Sequence, residues 1–207
     1  MLLLVSGASA TVNGHPDCGH LIVPRSWNDP ASLELRPNRW AMDNGCFVGL
    51  DPGAFLRMLY AYRRESGCLF VTAPDAVGDA AETLQLWSFW SPIIRSLGRR
   101  PAFVAQDGLT FDRVPWPELG ALFIGGTTAY KESGAAASLC GYAQSIGLWV
   151  HWGRVNGRNR YRKALEAGAD SFDGTGFSIA PAVNIPKPNR WRSDLDRQPR
   201  LGLDAVR

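Results

Sequence analysis

Residues 168–175 read GADSFDGT, and their reading decides the fold. Gly168 ends an amphipathic helical run at 161–167. A short strand follows, and it stops on the carboxylate of Asp173 with Gly174 directly behind it. Four other short apolar runs end in the same abrupt way: WAMDNG at 40–45, LFVTAPD at 69–75, PAFVAQDG at 101–108 and LFIGG at 122–126. The residues that end them are Asp43, Asp75, Gln106 and the pair Gly125–Gly126. Polar groups at the carboxyl ends of successive buried strands are how a (β/α) barrel assembles an active site.

Outward from this segment, apolar or β-branched runs predict strands at 2–6, 40–43, 69–72, 102–105, 121–124, 148–151 and 171–173. Helical periodicity lies between them, at 52–65, 79–96, 131–146 and 158–167. Asp51 is placed to cap the first of these helices, with Pro52 at its first position. Gly147 and Gly168 stop the last two. Strand and helix alternating this regularly imply a parallel sheet with right-handed crossovers. Seven strands are visible, and an eighth is placed within 182–185. The predicted fold is α/β, a compact (β/α)8 barrel of the TIM type whose last unit reads as irregular or incomplete. The alternative is an open doubly wound sheet. Against it, SGASATVNG after the first strand is not a GxGxxG phosphate loop. Residues 1–185 are read as a single catalytic barrel domain and 186–207 as a basic, irregular C-terminal tail.

The chain of 207 residues is 45% hydrophobic and 20% charged, which describes an ordinary globular protein rather than a disordered or fibrous one. Several of its eight tryptophans fall in predicted loops (Trp27, Trp116, Trp191). A net charge of +3 says little about partners, but its distribution says more. Arg154, Arg158, Arg160, Arg162 and Lys163 fall together, and Lys187, Arg190, Arg192, Arg197, Arg200 and Arg207 punctuate the end of the chain. These clusters read either as a phosphate-binding surface or as a solvated helix face plus a tail. Cys18, Cys46, Cys68 and Cys140 form no CxxC pair and fit reduced thiols in a cytoplasm. MLLLV lacks a basic flank and is too short for a signal peptide or a membrane span, so it reads as the first strand. A cytoplasmic location is expected, with no membrane partner.

Residue type suggests the chemistry. A carboxylate can accept from the N1–H and N2–H of a guanine, while Gln106 and a backbone N–H can meet O6. Gly125–Gly126 lets the backbone approach a flat ring closely. Another carboxylate beneath a sugar could attack C1′ and form a covalent intermediate. For any one of these aspartates alone, a helix cap is an equally good reading.

The ordered set AMDNGCF, TAPDAVGDA, FVAQDG, FIGGTTAYKES and HWGRVN, followed by EAGADSFDGT, resembles the tRNA-guanine transglycosylase superfamily over residues 40–178. Within it, the set is most similar to the shorter phage and bacterial branch of the DpdA type, which inserts 7-deazaguanines into DNA. The resemblance implies Asp173 as nucleophile and Asp43 as general acid/base. It implies that Asp75 reads the guanine edge, that Gln106 and the Gly125–Gly126 backbone contact the base, and that Gly153 lies in the base-pocket loop. It also implies DNA as polymer, with the target guanine flipped out of the duplex, a free 7-deazaguanine such as preQ0 as second substrate, and no required cofactor. A partner protein is left open. The tRNA enzymes carry a CxCxxC…H zinc site after the nucleophile strand. Here no Cys or His follows Asp173, so the zinc subdomain is absent. This moves the expected polymer from tRNA toward DNA. Base exchange or excision on tRNA or a nucleoside, and a non-catalytic nucleic-acid-binding accessory, are the alternatives.

Other residues complete the expectation. His15, Cys18 and His20 form HxxCxH in a predicted loop, and zinc could use them with Asp17, although hydrogen-bonded imidazoles are the favoured reading. His151 ends a strand beside the expected pocket and is read as substrate-binding. Cys46 and Phe47 are read as pocket wall, with Phe47 able to stack on a base. Arg154, Arg158, Arg160, Arg162, Lys163, Arg190 and Arg192 are the expected phosphate-gripping residues. Asp79 and Asp170 are read as a helix cap and a structural partner.

Overall fold

The computed structural model describes residues 1–197 except 8, 26–29, 31, 32, 34 and 38. Trp27, Arg200 and Arg207 lie outside the described residues. Eight parallel strands close into a barrel in sequence order. They are β1 (Leu2–Val5), β2 (Cys18–Ile22), β3 (Trp40–Met42), β4 (Cys68–Thr72), β5 (Pro101–Ala105), β6 (Ala121–Ile124), β7 (Trp149–Trp152) and β8 (Ser171–Phe172). The ring shuts where β8 pairs with β1, Leu2 opposite Ser171 and Leu3 opposite Phe172.

Successive side chains of a strand alternate between faces. One parity fills the barrel with Leu4, Leu21, Ala41, Phe70, Ala102 and Ala121. The other, with Leu3, Val5, Met42, Phe103, Leu122 and Val150 among it, packs outward against the helices. The fold fits into a short chain because several crossovers are abbreviated. α1 (Ser9–Asn13) has five residues, and two 3₁₀ turns, Phe111–Arg113 and Trp116–Glu118, span β5 to β6 in place of an α-helix. The fuller crossovers are α2 (Pro52–Ala61), α3 (Ala80–Ser96), the pair α4 (Thr128–Lys131) and α5 (Gly134–Ser145), and α6 (Arg158–Glu166). Asp51 caps α2 through Ala54 N–H, and Asp79 caps α3 through Ala81 and Glu82 N–H, as expected of both. Ser133 interrupts the helix predicted at 131–146 by capping α5 through Ala136 N–H.

Two expectations are corrected. The missing strand is β2, in the segment read as a loop, not a strand within 182–185. Glycine and histidine disguise CGHLI, yet a side chain at Gly19 would collide with the Arg39 carbonyl oxygen, so the barrel wall itself excludes a Cβ there. Residues 182–185 instead belong to a helical segment, α8 (Pro181–Asn184), which follows α7 (Thr175–Ile179). The predicted irregular tail is also ordered helix through α9 (Lys187–Arg197). α9 lies against α6, with the Trp191 ring 5.6 Å from Tyr161 and 6.4 Å from Phe177. Its Arg/Asp-rich surface hid a narrow apolar face of Pro188, Trp191 and Leu195.

If α9 is part of the folded unit, Trp191→Ala will lower stability to urea by about 1–3 kcal/mol, as for loss of a half-buried aromatic. An unchanged urea midpoint would mean that α9 does not contribute.

Candidate active site

The strand parity that fills the barrel also decides what lines its mouth. Two residues beyond Ala41 is Asp43; two beyond Val104 is Gln106; two beyond Phe123 is Gly125. Two beyond His151 is Gly153, and two beyond Ser171 is Asp173. All five point into one cavity of ≈240 Å³ at the carboxyl ends of the strands, with Asp75, Phe47 and Gly126 from the loops around it. The volume suits a single heterocycle and its sugar rather than the ~300–1,000 Å³ of a drug-sized pocket. Glycine at 125 and 153 is required by space. A Cβ at Gly125 would lie 2.5 Å from Val104 Cγ1, and one at Gly153 2.5 Å from Phe123 Cε1.

Asp173 is held from two sides. His151 Nε2 lies 3.2 Å from Oδ1, and the Arg154 backbone N–H donates to the same oxygen at 2.8 Å. His151 is fully buried and does not reach the cavity; its part is to orient Asp173. Behind it, Trp149 Nε1–H donates to Ser171 Oγ at 2.8 Å, and Ser171 Oγ lies 2.9 Å from His151 Nδ1. An indole can only donate, so the network is satisfied when Ser171 donates to Nδ1 and Nε2–H donates to Asp173. Among the described residues nothing hydrogen-bonds Oδ2. Arg154 supplies its N–H from a left-handed backbone, φ 60°, rare for a residue with a Cβ. Its guanidinium then lies 3.8 Å over the Phe47 ring at the cavity mouth.

Asp43 lies half-buried in the same cavity. Burial first, then the Asp173 charge, push its carboxyl above the ordinary range, against the Gly45 and Asn44 backbone N–H groups. Asp75 is fixed by two amides. Asn44 Nδ2 donates to Oδ1 at 2.6 Å and Gln106 Nε2 donates to Oδ2. Burial nevertheless raises Asp75 to about 6, those two donors opposing the shift and the Asp43 charge adding to it. Gln106 is oriented in turn, since its Oε1 accepts from Gly78 N–H at 2.9 Å. One Nε2–H remains for a ligand. Cys46 Sγ accepts from Asp75 N–H at 3.4 Å, but the residue does not line the cavity as expected; of Cys46 and Phe47, only Phe47 does.

Sequence reasoning missed much of the cavity lining, Asn44, Thr72 and Lys131 among it. Asn44 sits on the outward parity beside Asp43 and turns across to Asp75. Thr72 lines the cavity with a buried Oγ1 that has no hydrogen bond. Lys131 lines it from the end of α4. Asp107 holds Thr127 through its N–H at 2.7 Å and its hydroxyl at 2.6 Å. Asp170 is structural, accepting from Gln144 Nε2 and from Val150 N–H.

The HxxCxH residues do not come together as ligands. Cys18 and His20 lie on the outer face of β2, where His20 Nε2 meets Asn13 Oδ1 at 2.8 Å and burial pushes the Cys18 thiol up to about 11. Among the described residues no three His, Cys, Asp or Glu are grouped to hold a metal ion. The expected phosphate-gripping residues divide. Arg160 and Lys163 share Glu132, Arg162 pairs with Glu166, and Arg192 pairs with Asp196. Arg158, Arg190 and Arg154 have no ion pair among the described residues. No described helix is long and apolar enough to cross a membrane.

The Asp75 carboxyl should titrate near 6 by NMR, and Asn44→Ala, which removes a donor but little of the burial, should move it higher. A downward or null shift would mean that the amide does not hold the carboxylate.

No family model matches this chain and no curated protein matches it, so what the cavity does is argued from its own geometry.

Proposed function

We propose that this chain is a DNA guanine transglycosylase, exchanging guanine in DNA for a free 7-deazaguanine, preQ0 or a relative, through a covalent aspartyl-glycosyl intermediate. The observation that carries this reading is the pair of carboxylates across one small cavity. Asp173 is oriented by His151 and Arg154 with Oδ2 left for reaction, and Asp43 is half-buried, its carboxyl pushed above the ordinary range by desolvation and the Asp173 charge, as suits a proton donor.

In the first step Asp173 Oδ2 attacks C1′ of the flipped nucleotide. The C1′–N9 bond breaks, its electron pair leaves with guanine, and the Asp43 carboxyl donates the proton that neutralises it. In the second, the Asp43 carboxylate takes the N9 proton of the incoming deazaguanine. N9 attacks C1′, and the ester bond to Asp173 breaks. Two inversions retain configuration, and the bond made matches the bond broken, so no energy source is needed. Asp75 accepts from the N1–H and N2–H of the base, the remaining Gln106 Nε2–H meets O6, and the Gly125–Gly126 backbone gives the ring room. Exposed Arg158 and Arg190, on helices that pack side by side, favour a polyanionic partner.

Purified protein incubated with labelled guanine, duplex DNA and tRNA in parallel, then with preQ0, should place label in DNA alone. Label in tRNA would reassign the polymer. Label in neither, with no trapped adduct, would leave a nucleic-acid-binding accessory. Asp173→Ala should abolish exchange while DNA binding persists, and Asp43→Asn should slow it by about 10²–10⁴-fold, the usual range for a proton-transfer residue. Because Asp75 accepts as a carboxylate, guanine affinity should be full above its pKa of about 6 and fall as pH drops through it. Affinity that rises on acidification would remove Asp75 from base recognition.

A further inference from the structure

Lys131 is the last residue of α4, just beyond the Gly125–Gly126 pair, and lines the cavity. The residue is only 3% exposed, yet no hydrogen bond or ion pair among the described residues reaches its ammonium. An ammonium withdrawn from water without a counter-ion is costly. Its proton affinity registers that cost. Burial first, then Arg154 and, more weakly, Arg160 bring it down to about 8, while Asp173 and Asp107 pull the other way without restoring it. Arg154, from the end of β7, lines the same cavity and is likewise without an ion pair among the described residues. Two cations therefore line the space in which Asp173 acts, and neither makes an ion pair among the described residues.

A free purine or deazapurine is neutral and offers them acceptor atoms but no negative charge. A nucleotide offers an electrophilic C1′ and, on the same sugar, a phosphate. We propose that Lys131, backed by Arg154, is the phosphate anchor of the cavity, binding a phosphodiester beside the target nucleotide and thereby selecting nucleotides within a strand over free nucleosides. The proposal rests on the base-exchange reading for the identity of the sugar-borne base, and on the buried unpaired cation for the phosphate.

The test is calorimetric binding of a trinucleotide with guanine at its centre, compared with one whose two phosphates are neutral methylphosphonates. In the otherwise intact protein, neutralisation should weaken binding about tenfold or more, the scale of a charged hydrogen bond. In Lys131→Met the two ligands should bind alike, and Lys131→Arg should restore most of the difference. Equal losses in the original protein and in Lys131→Met, or no binding of the natural trinucleotide, would overturn the assignment. A second measurement does not depend on the base: the Lys131 side-chain resonance, assigned through Lys131→Arg, is titrated with and without inorganic phosphate. Its pKa should rise from about 8 when phosphate is present, and an unmoved titration would also overturn the anchor. A trinucleotide with thymine at its centre separates the two claims. If it binds as well as the guanine form and still depends on Lys131, the phosphate anchor stands and the base reading falls.

Discussion

The backbone hydrogen bond from Leu2 N–H to the Asp170 carbonyl, 2.8 Å, closes the ring, and the site depends on it. β8 has only two residues, paired on one side with β7 and on the other with β1. Asp173 is the next residue in the chain. Unless β8 is clamped from both sides, the carboxylate at its end has no fixed direction, and Asp43 has no neighbour. A closed parallel barrel also has no free edge, so every strand end at the mouth is held to its neighbours by backbone bonds. Short strands suffice because closure supplies the rigidity.

Beneath that ring, an apolar floor supports a polar relay. Trp149, Ser171 and His151 are three inward-facing side chains of β7 and β8, linked in series to Asp173. Phe70 and Phe123 pack on the His151 ring at 5.3 and 4.6 Å, which fixes its plane and excludes water. The same dryness raises Asp43 and Asp75 and lowers Lys131, since each charged form loses solvation. Strain is accepted in one place: Arg154 holds an unfavourable φ worth about 1–3 kcal/mol so that its N–H can reach the Asp173 carboxylate.

Much of this was legible in the chain because strand parity is local. Once a strand is recognised, alternation says which residues face inward, and the residue two beyond the last buried one reaches the mouth. Asp43, Gln106, Gly125 and Asp173 were read as the polar or glycine ends of strands, which that parity explains; Gly153 was reached only through the family resemblance. β2 was not, because Gly19 answers to the Arg39 carbonyl, 20 residues away, and a single sequence does not show that approach. α9 was not, because its apolar face, Pro188, Trp191 and Leu195, is sparse among charged residues and is satisfied only by packing on the rest of the fold. His151 was read as a ligand-contacting residue and is a buried support, since parity puts it inside the barrel but one layer below the opening.

The amino-acid sequence by itself determined the alternation of strand and helix, the inward parity of the mouth residues and the presence of carboxylates at three strand ends. These depend on neighbours within a few positions, where backbone geometry is periodic. Only the tertiary structure decided which oxygen of Asp173 is held, that Asn44 and Gln106 converge on Asp75, and that Lys131 is buried with no ion pair among the described residues. Those facts depend on desolvation and on side-chain contacts between residues 19 to 31 positions apart. They come into being only when the barrel closes.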